Sequence, residues 1–220
     1  MARRNYGQHC AVARALDRVG DRWVLLLIRE LLPGPKRFSD LLGGLRGIGP
    51  NLLSQRLKEL EEEGLVRRGY LPPPAASAVY ELTGAGRGLE PAILALGRWG
   101  LQFVGTGGPE DLFQPEWALL ALRFVFQADA AAGVTETYEF DLGGSRLHAE
   151  VENGVLRVLP GPAVAPVLRM AMDAETFLAI GGGRLSAEEA VCTGRARVEG
   201  DPEAAARCLR MFRPPPAPVE

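Results

Sequence analysis

The chain has 220 residues, room for two domains of about 100 residues each, and its 47% hydrophobic and 24% charged residues are an ordinary globular balance. Its net charge of −2 hides a split: residues 1–106 carry 15 Lys and Arg against 10 Asp and Glu, while residues 107–220 carry 10 against 17. No run approaches the ~18 apolar residues of a membrane span, MARRNYGQHC has no secretory apolar core, and three cysteines without CxxC spacing plus two histidines furnish neither disulfide framework nor zinc site.

These facts lead to the expectation of a cytoplasmic protein with no membrane span, no metal and no cofactor. A basic half joined to an acidic half implies that only the first approaches a polyanion.

In chain order, Ala11–Leu32 has helical apolar spacing at Val12, Leu16, Val19, Trp23, Leu26, Leu27 and Leu31. Gly20-Asp21 divides it in two, and Pro33-Gly34-Pro35 stops the second helix. A short helix follows over Ser39–Leu45. After the Arg46–Gly49 turn, Pro50 suits the first position of a helix running Asn51–Glu63 and capped by Gly64. Leu53, Leu57 and Leu60 form its buried stripe. Two strands flanking Pro72–Ser77 make a hairpin, and Thr83 caps a last helix over Ala85–Phe103.

The second half mixes periods. Helical spacing over Glu116–Gln127 precedes strands at Thr135–Asp141, Arg146–Glu152 and Val155–Leu159, with Asn153-Gly154 suited to a type I′ turn. Short helices at Asp173–Ile180 and Ala187–Ala190, a strand at Ala196–Glu199 and a helix at Asp201–Phe212 complete an α+β domain. The expected organisation is a first domain over 1–107, a linker over 108–115, a second domain over 116–213 and a tail over 214–220.

Helix, turn, helix and hairpin in this order make a winged helix-turn-helix. A major-groove helix needs a core anchor behind it and polar side chains in front. Leu53, Leu57 and Leu60 supply the anchor; Asn51, Ser54, Gln55 and Lys58 supply the front. Asn and Gln suit adenine, and Pro50 and Asn51 sit where helix N–H groups favour phosphate. Arg56 lies on a flank within reach of the backbone. Lys36, Arg37 and Ser39 near the first helix of the pair, and Arg67 and Arg68 at the hairpin base, are expected at flanking phosphates. The acidic run Glu59–Glu63 confines groove contact to the helix's first turns.

The run from Cys10 to Arg68, with Asp21-Arg22-Trp23, Arg37-Phe38, Leu53-Ser54-Gln55-Arg56-Leu57, Gly64-Leu65-Val66 and Tyr80-Glu81-Leu82-Thr83, resembles the HxlR family of winged helix-turn-helix regulators. The resemblance covers about residues 10–107. It implies a homodimer built on N- and C-terminal helices, a palindromic double-stranded DNA operator and no enzymatic activity. The tip Pro72–Ser77 departs from the family in lacking charge. Some members sense oxidants or electrophiles with a cysteine where Cys10 stands, so Cys10 is either a redox sensor or an inert thiol near the dimer seam.

Residues 115–213 resemble the sterol carrier protein 2-like fold, an α/β sandwich, through Met172–Leu178, Leu185–Ala190, Thr193-Gly194 and Val198–Pro202. The resemblance implies an apolar cavity for a lipid or other hydrophobic molecule. Leu122, Phe124, Phe126, Met170, Met172, Phe177, Leu209 and Phe212 are candidates for lining it, or for ordinary core. Two readings follow: a DNA-binding regulator with an apolar effector, or an apolar-ligand carrier whose winged helix serves mainly for dimerisation.

Overall fold

The computed structural model describes residues 5–106 and 113–213. Most of the expected linker and all of the tail 214–220 lie outside these residues. Two compact units divide the chain, one through Ile93 and one from Leu94.

The first unit holds α1 (Ala11–Val19), α2 (Val24–Leu31), α3 (Phe38–Gly44) and α4 (Pro50–Glu62), the hairpin β1 (Val66–Leu71) and β2 (Ser77–Leu82), α5 (Gly84–Arg87) and the start of α6 (Glu90–Gly100). Its core is a cluster of leucines and Ile28, with Leu27, Leu31, Leu41, Leu53, Leu57 and Leu60 all but fully buried. Heptad-like leucine spacing on α4 thus becomes its anchor. Strands β1 and β2 pair antiparallel from Val66↔Leu82 to Leu71↔Ser77, and Lys36 adds a bridge to Tyr80 at the hairpin's side.

The expected single helix Ala85–Phe103 is two helices followed by a 3₁₀ turn over Leu101–Thr106. Gly88 closes α5, and α6 restarts with Pro91 in its first turn, where the missing N–H leaves no gap. Helix α2 begins at Val24 rather than at Asp21, whose carboxylate accepts the Trp23 N–H just outside it.

In the second unit, α7 (Ala118–Val125), β3 (Thr135–Leu142), β4 (Ser145–Glu152), β5 (Val155–Pro160), β6 (Leu168–Met172), α8 (Ala174–Gly181), α9 (Ala187–Cys192), β7 (Ala196–Gly200) and α10 (Pro202–Met211) follow in order. The sheet order is β5-β4-β3-β6-β7. Only β3 and β6 run parallel. Asn153 and Gly154 both adopt positive φ between β4 and β5, as a type I′ turn requires. Strand alternation sends Tyr138, Phe140, Leu142, Leu147, Ala149, Val151 and Leu168 to one face, where Leu119 and Leu122 of α7 and Ala204, Cys208 and Met211 of α10 complete the core. This is the expected α+β chain, a winged helix-turn-helix followed by a helix-on-sheet domain. Strand β6 was not anticipated from the sequence.

Candidate nucleic-acid interface

Helix α4 presents two chemically distinct sides. With about 100° per residue, Leu53, Leu57 and Leu60 share one side, and Asn51, Ser54, Gln55 and Lys58 cluster opposite. The structure buries the first group and exposes the second. Pro50 occupies the first helical position after the extended N-cap Gly49, so the first backbone N–H groups of α4 lie at an exposed end. Asn51 and Ser54 make no side-chain hydrogen bond among the described residues. Gln55 donates from Nε2 to Glu59 Oε1 at 2.9 Å, and Lys58 lies 3.8 Å from Glu62 Oε1.

The other basic candidates are engaged within the unit. Lys36 Nζ stands 2.8 Å from Oε2 of Glu30, which is fully buried, and Arg29 Nη2 holds the other oxygen at 2.6 Å. Its side chain, expected at phosphate, is therefore drawn inward. Arg37 is exposed and reaches the wing, donating from Nε to Ser77 Oγ at 2.8 Å and from Nη2 to the Ala75 carbonyl at 3.4 Å. Ser39 is exposed and donates to Asp40 at 3.3 Å. On β1, Arg67 pairs with Glu81 at 2.9 Å, while Arg68 pairs with Glu61 at 3.1 Å and lies over the Tyr80 ring. Both arginines keep about two thirds of their side-chain surface exposed.

Arg56 departs furthest from expectation. Its Nη2 lies 2.7 Å from Asp21 Oδ2, its Nη1 bonds Glu59, and its side chain is only 19% exposed. Sequence reading placed it on a flank facing the DNA backbone; the structure turns it toward the segment before α2. Its place about 65° from the leucine stripe was the available signal. Glu30 had a signal too, as the one acid in the apolar stretch VLLLIREL.

Outside α4, Cys10 is exposed and precedes the first residue of α1. The backbone N–H groups of Ala13 and then Val12 hold its thiol pKa below the usual value. Tyr6, Val12 and Leu16 near it are exposed, as are Leu96, Trp99 and Phe103 on α6 and the turn after it.

The apolar candidates of the second unit separate. Leu122 is core, and Phe126, Met170, Met172, Phe177 and Phe212 are half-buried against that core. The Phe212 ring lies tilted 5.6 Å from Phe126 and meets Phe140 edge-on at 6.1 Å, ring centre to ring centre. Phe124 packs against Gly97 so closely that a Cβ there would lie 2.5 Å from its ring. Leu209 is exposed. A groove of about 430 Å³ lies along β7, lined by Ala171, Val191, Gly194, Arg195, Ala196, Arg197 and Val198, and none of the eight candidates borders it.

Comparison with known proteins accounts for both units. The HxlR-like helix-turn-helix model matches residues 18–107, and the SCP-2 sterol transfer family model matches residues 122–213. The chain is 36% identical over 91 residues to the uncharacterized HTH-type transcriptional regulator YvaP of Bacillus subtilis, covering 41% of this chain and 84% of YvaP. It is 36% identical over 93 residues to the HTH-type transcriptional regulator YodB of the same organism, covering 42% of this chain and 83% of YodB. The crystal structure of quinone-bound YodB aligns at 33% identity with a TM-score of 0.36, covering 42% of this chain and 97% of that one.

Proposed function

This chain belongs to the HxlR-like helix-turn-helix family of transcriptional regulators, and we propose that it acts as a homodimer whose two α4 helices read a palindromic duplex operator. One observation carries the reading: a polar, exposed face of Asn51, Ser54, Gln55 and Lys58 backed by a fully buried leucine stripe. Asn51 and Gln55 offer paired donors and acceptors to adenine edges, and Ser54 reaches a base or phosphate. The backbone N–H groups of Asn51 and Leu52 at the start of α4, Arg37 and Ser39 beside the wing, and the exposed Arg67 and Arg68 meet phosphates. The apolar residues left exposed on α1 and at the end of α6 are suited to a dimer seam. Two α4 helices about 34 Å apart would enter successive major grooves.

Cys10 serves in this reading as an electrophile-sensitive thiol, because its lowered pKa raises the thiolate fraction at neutrality. The C-terminal domain binds an apolar effector, a role supported by the SCP-2 match over 122–213. Footprinting on the region upstream of the protein's own operon tests the central reading. Salt-sensitive protection of a symmetric site is expected; uniform, sequence-blind binding overturns it.

The SCP-2 match also favours a second reading, an apolar-ligand carrier in which the winged helix serves mainly for dimerisation. Native mass spectrometry separates the two. A stoichiometric apolar ligand combined with no selective DNA binding supports the carrier.

A further inference from the structure

The four residues Asp21, Arg56, Glu59 and Gln55 form a continuous chain of polar contacts from the segment before α2 to the exposed face of α4. Asp21 Oδ1 accepts the Trp23 N–H at 3.2 Å, and its Oδ2 takes Arg56 Nη2 at 2.7 Å. Arg56 Nη1 bonds one oxygen of Glu59, and Gln55 Nε2 donates to the other at 2.9 Å. We infer that Arg56 is a positioning residue rather than a DNA contact, and that through Glu59 it fixes the side-chain amide of Gln55 for base recognition.

Three observations support this. On an ideal helix Arg56 lies about 150° from the centre of the Asn51, Ser54, Gln55 and Lys58 face, so its guanidinium cannot share their groove. The side chain is four-fifths buried and shared between two carboxylates, which leaves little of it for phosphate. Glu59 bridges two donors: burial raises its carboxyl pKa, but the hydrogen bonds from Arg56 and Gln55 outweigh that and hold it below the usual range. It is therefore a full carboxylate at neutrality and accepts only. A carboxylate on Nε2 dictates which end of the Gln55 amide is which. Oε1 and the second Nε2 hydrogen then remain for a base pair, the set that pairs with adenine.

The inference rests on the DNA-binding reading, and its test separates the two. The wild-type chain selects a preferred duplex from a randomised library, and that duplex is the probe for every variant. Affinity is measured across a salt series for Arg56→Met, Arg56→Lys and Glu59→Ala, with base preference re-selected for each. Positioning predicts that Arg56→Met keeps the wild-type salt slope while preference at one base position of each half-site relaxes about tenfold. Glu59→Ala, a half-exposed surface change that leaves the core intact, relaxes the same position. Arg56→Lys retains charge but not the two-carboxylate fork, and relaxes it too.

A salt slope shallower by about one in Arg56→Met, with base preference unchanged, marks a phosphate contact and overturns the inference. Unchanged preference in Glu59→Ala overturns the relay to Gln55. If the wild-type chain enriches no sequence at all, the DNA-binding reading itself has failed.

Discussion

At the scale of single residues, the winged-helix unit spends most of its cations on its own carboxylates. Glu30 is the clearest case: a fully buried acid held by Lys36 and Arg29. Stranding a buried charge costs about 3–5 kcal/mol, and Arg29 remains in Lys36→Met, so a loss of about 2 kcal/mol is expected in urea unfolding. A loss indistinguishable from zero would show Lys36 to be a surface charge. The thiols diverge in the same way. Cys10 has a lowered pKa at the start of α1, whereas burial pushes Cys208 up to about 12. Alkylation of the native chain should therefore label Cys10 with a half-maximal pH below the ordinary 9.0 and leave Cys208 unlabelled. The polar residues on the exposed face of α4 were legible in the sequence. Their partners were not, because Asp21 and Arg56, or Arg67 and Glu81, meet only once the chain has folded.

At the scale of elements, local signals succeeded where they were strong. Pro33-Gly34-Pro35, Pro50 and Gly64 punctuate the helices close to where they end or begin, and Gly143-Gly144 and Asn153-Gly154 each make a two-residue hairpin turn at positive φ. Strand β6 escaped because Leu168–Met172 is five residues long and has no β-branched or aromatic side chain. Its strand state comes from pairing with β3 on one side and β7 on the other, which periodicity cannot report. The division between α5 and α6 escaped because apolar spacing runs through it. Gly86 of α5 shows how tightly that corner closes: a Cβ there would lie 2.1 Å from the Leu65 carbonyl oxygen. Gly86→Ala should lower the urea midpoint by the equivalent of about 1–3 kcal/mol, and with it the seating of the hairpin behind α4. A midpoint equal to wild type would show that the corner yields.

At the scale of the whole molecule, the charge split and the two family matches give a basic winged helix-turn-helix and an acidic SCP-2-type domain in one chain. The second unit carries a feature of its own. Glu136 is held below its usual pKa, since hydrogen bonds from Arg207 and the Tyr138 hydroxyl outweigh burial, and backbone N–H groups lower Asp173, Glu189 and Asp201. Groups with depressed folded-state pKa contribute fully above their ordinary values of 4.5 and 3.8 and lose that contribution as pH falls through the folded values. Calorimetry should show its melting temperature dropping as pH falls below about 4.5, and a flat profile there would contradict the hydrogen bonds drawn for these carboxylates. The proposed dimer makes a separate demand. Trp99 is 61% exposed and packs edge-on to Phe103 at 5.0 Å. Trp99→Glu should yield monomers in analytical ultracentrifugation, and an unchanged dimer would place the seam elsewhere.

The central claim is that the exposed face of α4 reads bases. The most direct test compares wild type with Asn51→Ala on the selected duplex and on scrambled duplex across a salt series. The account predicts that wild type prefers the selected duplex, that Asn51→Ala loses roughly tenfold of that preference, and that both share one salt slope. A wild-type affinity equal on both duplexes, or an Asn51→Ala preference identical to wild type, would contradict it.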